Sequence, residues 1–126
     1  MDPSRSELEL GQFIPLQYHF NMLDDARRTG AFAEAIGRVV SPGARVVELG
    51  GGTGVLSFFA ARTASRVWCV ERNLELSRIA RRLIALNGVE ETVEVVDSDA
   101  FAYLPPEPVD VAFCEMLHVT MLVEKQ

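Results

Sequence analysis

The chain has 126 residues, enough for one compact domain and too few for a second. Apolar residues make up 48% and charged residues 24%, the balance of a globular chain able to build a core. Its formal net charge of −6 argues against a partner held by phosphate attraction and for a cationic one.

Residues 1–12 are polar and acidic and read as a loose arm, with 13–126 as a single domain. The arm has neither a basic n-region nor an apolar h-region. No apolar run approaches the ~20 residues of a membrane span. The expectation is a cytoplasmic protein without signal peptide or membrane anchor. A helical pattern then runs from Leu23 to Val40, with Asp24 or Asp25 near its start. Ala26, Ala33, Ile36, Val39 and Val40 share one face, and Ser41-Pro42-Gly43 breaks the pattern. Arg45–Leu49 reads as a short buried strand feeding the glycine run Gly50-Gly51-Gly52-Thr53-Gly54, and a helix follows from Val55 to about Ala64. Arg66–Glu71 is the second strand. Asn73 can cap a helix that ends at Asn87-Gly88, with an apolar stripe of Leu76, Ile79, Ala80, Leu83 and Ile84. Thr92–Val96 and Val109–Cys114 are the third and fourth strands, separated by Pro105, Pro106 and Pro108, and 117–124 has helical character. Cys69 and Cys114 sit in apolar runs without metal-ligand spacing, so buried, reduced thiols are expected.

The strands are continuous apolar runs rather than alternating ones. That pattern calls for burial on both faces, as in a mostly parallel, doubly wound α/β sheet. The first three strands are joined by helical crossovers.

Two features point to chemistry. The strand–glycine turn–helix unit brings backbone close to a ligand and offers free N–H groups at a helix start. Glu71 ends the next strand, 21 residues beyond Gly50, where a carboxylate can accept both hydroxyls of an adenosine ribose. The loop is G-x-G-x-G with Val55 in the sixth place. That departs from the dinucleotide pattern G-x-G-x-x-G/A, and no phosphate-binding Lys-Ser/Thr follows.

On these residues the chain resembles the class I S-adenosylmethionine-dependent methyltransferases. Glu48 through Gly54 is similar to their first motif, and Glu71 to their ribose-binding acid. Asp97-Ser98-Asp99-Ala100 is similar to their adenine-contacting segment, with Asp99 placed for the exocyclic amine. The resemblance implies a Rossmann-like fold, here cut short after the fourth strand, with strand order 3-2-1-4 and strand 109–114 at an edge. An apolar edge strand is a template for pairing, so the chain is expected to self-associate as a homodimer or to be part of a longer protein. It implies S-adenosyl-L-methionine as cofactor and S-adenosyl-L-homocysteine as product, with Arg28, Glu48, Gly50, Gly52, Gly54, Glu71, Arg72, Asp99 and Ala100 on the cofactor. A narrower resemblance is to the protein arginine methyltransferases. His19-x-x-Met22-Leu23-x-Asp25-x-x-Arg28-Thr29 is similar to the segment that in that family folds over the cofactor. The resemblance implies that Arg28 pairs with the cofactor carboxylate. Glu115 and Glu124, nine residues apart, have the spacing of that family's two acceptor-holding glutamates. An arginine acceptor stays protonated in water, and two carboxylates would orient its guanidinium and offset the charge, with no metal required. Met22, Glu115 and Glu124 are then the acceptor residues, and Glu115 and Glu124 the catalytic pair. Three positions depart from the family: Phe13 stands for a tyrosine, Phe101 for an acid, and Met116-Leu117-His118 for a loop with tryptophan and glycine. The implied function is methyl transfer to a nitrogen, protein arginine first. The alternatives are a cofactor-binding module without catalysis, or a small-molecule amine or RNA as acceptor.

Overall fold

A computed structural model describes residues 16–115. Its elements are α1 (Leu16–Asp24), α2 (Ala26–Val39), β1 (Arg45–Leu49), α3 (Val55–Ala60), β2 (Arg66–Glu71), α4 (Leu74–Leu86), β3 (Val93–Asp97) and β4 (Val111–Cys114). The expected arm at 1–12, the helical stretch 117–124 and the residues Phe13, His118 and Glu124 lie outside the described residues.

The four strands form one sheet in the order β3-β2-β1-β4, and every pairing is parallel. Parallel neighbours require crossovers; α3 and α4 supply those joining β1, β2 and β3, and a connection over 98–110 without a helix leads to β4. One face is packed by Val46, Val67, Cys69 and Val93 from the strands against Ile36 of α2, Leu56 and Ala60 of α3 and Ile84 of α4. Val46, Val67 and Val70 are fully buried, each worth about 1.5–3 kcal/mol of hydrophobic transfer. The other face is held by Val47, Trp68 and Val70 with Tyr103 and Val109 from the β3–β4 connection. Among the described residues no helix is long and apolar enough to cross a membrane.

The elements differ from the sequence reading in places with local causes. The helix expected over 23–40 is two helices. Asp25 caps α2 by accepting the Arg28 backbone N–H, so the chain turns there and α1 precedes it. The helix after the glycine turn stops at Ala60 rather than Ala64, because the chain then turns for Gly43 N–H to reach the Thr63 carbonyl. β3 starts and ends one residue late. β4 begins at Val111, not Val109, because Asp110 is pinned at the strand entrance. Its N–H donates to the Arg45 carbonyl, while its carboxylate accepts the Arg45 N–H. Cys69 is buried as expected, but Cys114 is exposed, since the edge strand β4 alternates half-buried and exposed residues.

Candidate functional site

A cavity of about 340 Å³ opens at the C-terminal ends of β1, β2 and β4, capped by α1. This is where ligands sit on open parallel sheets. The glycine loop forms its floor. Gly50, Gly52 and Gly54 take φ of +72°, +58° and +82°, values that side chains resist. Gly50 and Gly51 N–H both donate to the Val70 carbonyl at 2.9 Å, which clamps the loop to β2.

Gly51 is glycine for a different reason, one that the G-x-G-x-G reading passes over. A Cβ there would collide with the Cys69 sulfur and sit 3.3 Å from Glu48 Oε1. β1 and β2 set Glu48 beside Cys69 in register, so thiol, carboxylate and loop backbone share one notch. The only sequence signal was the unbroken glycine triplet.

Glu48 lies at the cavity wall but is 2% exposed. Its Oε1 accepts from Ser57 N–H at 3.2 Å and from Ser57 Oγ–H at 2.7 Å, fastening the loop's exit to the first turn of α3. Burial pushes its carboxyl up to about 8, against the pull of those Ser57 bonds. Burial, with the Glu48 carboxylate beside it, also pushes the Cys69 thiol upward.

Glu71 ends β2 at the cavity and is 9% exposed. Its Oε2 accepts Gly52 N–H at 2.8 Å and its Oε1 accepts Asn73 N–H at 3.0 Å. The carboxylate is thus fixed from both sides by backbone. Asn73 in turn caps α4 by accepting the N–H groups of Glu75 and Leu76.

Asp99, expected at the adenine amine, lines the cavity. Its Oδ2 accepts from Arg72 Nη1 at 3.2 Å and its Oδ1 accepts Phe101 N–H at 2.8 Å. It organises this end of the cavity, holding Arg72 on one side and the turn into Phe101 on the other. Ala100 and Phe101 line the same end, and Phe101 is 67% exposed.

α1 and α2 form the roof. His19 lies over the loop, where a Cβ at Gly52 would come within 3.2 Å of its ring. His19 Nε2 is the buried side-chain polar atom without a partner among the described residues. Burial lowers its basicity, and the Glu71 carboxylate partly offsets that. Met22 and Arg28 also line the cavity. Arg28 Nη2 reaches Glu115 Oε2 at 2.8 Å, so Glu115 is brought into the same cavity from the end of β4. Of the sequence-identified residues, Met22, Arg28, Glu48, Gly50, Gly52, Glu71, Arg72, Asp99, Ala100 and Glu115 converge here. Gly54 stands behind, as the left-handed N-cap of α3.

A family model described as methyltransferase domain matches residues 46–126. The chain is 35% identical to protein arginine N-methyltransferase 2 of Xenopus tropicalis, over 98% of this chain and 29% of that protein. It is 34% identical to an arginine N(omega)-methyltransferase of Streptomyces achromogenes, over 98% of this chain and 37% of the relative. Among solved structures, protein arginine methyltransferase 10 of Arabidopsis thaliana superposes with a TM-score of 0.74 at 28% identity, covering 82% of this chain and 30% of that one. The Trypanosoma brucei PRMT1 enzyme–prozyme heterotetrameric complex with AdoHcy gives 0.72 at 29% identity, covering 79% and 32%. The chain thus spans well under half the length of these relatives. With its Rossmann-like parallel sheet and glycine loop, the chain belongs to the methyltransferase domain family and, within it, is related to the arginine methyltransferases.

Proposed function

We propose that this chain is the cofactor-binding part of an S-adenosylmethionine-dependent methyltransferase, and that the whole protein transfers a methyl group to a nitrogen of a cationic acceptor, protein arginine first. The observation that carries the reading is Glu71: a carboxylate locked by the Gly52 and Asn73 amides at the rim of a glycine-floored cavity. The donor set fits this cofactor. Glu71 offers acceptors for vicinal hydroxyls, and the half-buried Arg28 guanidinium suits a carboxylate. The orphaned His19 Nε2 offers a polar atom on the roof, and Asp99 with Phe101 frames the base end. When bound, the cofactor supplies a methyl group on an already activated sulfonium.

The chain's own residues do the rest by position and exclusion of water. Glu48 and Ser57 brace the loop. α1 closes the cavity from above. Glu115 presents a carboxylate to a cationic acceptor, with Glu124 proposed as its companion. The edge position of β4 and its apolar sequence support assembly with a second copy or with further strands of a longer protein.

Calorimetric titration of the purified chain with S-adenosylmethionine, S-adenosylhomocysteine and NAD tests the cofactor assignment. Micromolar binding of the first two, lost in Glu71→Ala, is the expected outcome. Preference for NAD, or binding indifferent to Glu71→Ala, refutes it.

A further inference from the structure

The end of the cavity beyond Arg72 is built by the consecutive residues Ser98, Asp99, Ala100 and Phe101. The turn that carries them is fixed. Ala102 and Tyr103 N–H donate to the Asp99 carbonyl at 3.0 and 3.1 Å, and Phe101 N–H donates to Asp99 Oδ1 at 2.8 Å. Tyr103 packs against Val47, Trp68 and Val70 on the sheet. Phe101, two residues earlier, is left at the cavity and 67% exposed. It belongs to neither core cluster, so its ring is apolar area that a ligand can cover.

The chemistry of this end is lopsided. An adenine presents a flat π face and an exocyclic amine with a pair of N–H donors. Asp99 carries the carboxylate here, whereas the Ala100 and Phe101 side chains carry no polar atom. The Ser98 hydroxyl donates to the Asp99 carbonyl at 3.2 Å. A carboxylate oxygen has more than one acceptor site. Asp99 can therefore take one amine N–H while it keeps Arg72 and the Phe101 amide. The phenyl ring offers a face to the base or to an apolar substituent, and no lone pair to the second N–H.

We propose, resting on the cofactor reading above, that Phe101 sets the base selectivity of this cavity: Asp99 reads one N–H of the adenine amine, and the amine's other position is open to an apolar group for which the Phe101 ring is the contact surface. The cavity then accepts cofactor molecules substituted once on the adenine amine, because a secondary amine keeps the N–H that Asp99 needs. An oxo group in place of the amine is refused, since it sets a second acceptor against the Asp99 carboxylate.

Calorimetric titration of the chain tests this with S-adenosylhomocysteine, its N6-methyl and N6-benzyl derivatives, and S-inosylhomocysteine. Each is measured on wild type, Phe101→Ala and Phe101→Glu, with folding checked by circular dichroism. The readout is the ratio of affinities within one variant, which a loss of stability alone does not move. Wild type is expected to bind the methyl derivative within about threefold of the parent and the benzyl derivative about two- to tenfold more tightly. It is expected to bind the inosine compound at least about tenfold more weakly. Phe101→Ala should keep the parent and lose the benzyl gain. Phe101→Glu supplies a second carboxylate acceptor and should favour the parent over the benzyl derivative by about tenfold. Wild type that binds the parent but binds the benzyl derivative more weakly, or the inosine compound equally well, overturns the selectivity assignment and leaves the cofactor reading standing. So does a benzyl-to-parent ratio that is the same in all three forms. No binding of any of these ligands by the folded wild type overturns both.

Discussion

Gly51→Ala is the sharpest probe of how the loop is built. The added methyl points at the Cys69 sulfur and collides with it. Neither side yields easily. Gly51 N–H is bonded to the Val70 carbonyl at 2.9 Å, and Cys69 is 0% exposed in the core beneath the sheet face. Overpacking of this kind costs about 1–3 kcal/mol, and the fixed surroundings put this site near 2–3 kcal/mol. For a domain of this size that is a fall in Tm of roughly 8–12 °C. Cys69→Ala alone leaves a small cavity and costs about 1 kcal/mol. In the double variant the sulfur clash is gone; Glu48 Oε1 at 3.3 Å must still give slightly, and the residue-69 Cβ at 3.7 Å is in ordinary contact. The double variant is therefore expected to be about as stable as Cys69→Ala, a coupling of about 2 kcal/mol in the favourable direction. Denaturant unfolding of all four proteins measures the cycle. A Gly51→Ala variant within about 0.5 kcal/mol of wild type, or a double variant no better than Gly51→Ala, refutes the shared notch.

Two further outcomes test other parts of the molecule. Burial raises the Glu48 carboxyl to about 8 from an ordinary value near 4.5, so the folded state favours the protonated form. Its contribution to stability is full below the unfolded value and declines as pH rises through the folded one. Glu48→Gln keeps an acceptor for Ser57 and should flatten that decline in unfolding midpoints measured from about pH 5 to 9; an unchanged slope counts against it. At the sheet edge, Val111 to Phe113 should pair with other strands, so light scattering at high concentration should give a mass above the monomer. Ala112→Lys, which places a charge on an exposed edge position, should restore the monomer; a wild type monomeric at every concentration removes the edge as an interface.

Much of the site was written in local sequence because its chemistry is local. The positive φ at Gly50, Gly52 and Gly54 needs glycine at those positions and nowhere else in the turn. Glu71 is placed simply by ending the strand that follows, and Asn73 by capping the next helix. The parallel sheet follows from apolar strands joined by helices, while its order β3-β2-β1-β4 is the one that the family resemblance implies. Tertiary structure decided what depends on residues distant in the chain. Gly51 is set by Cys69 across two strands, and Glu48 is a buried brace on Ser57 only because the strand face turns it under the loop. The two oxygens of Asp99 are claimed by Arg72 and the Phe101 backbone, which no spacing announces. The Arg28–Glu115 contact joins positions 87 residues apart. Sequence periodicity reports which face of an element is apolar. Which polar atoms meet across the folded sheet is fixed by strand register and burial, and those exist only once the chain has packed.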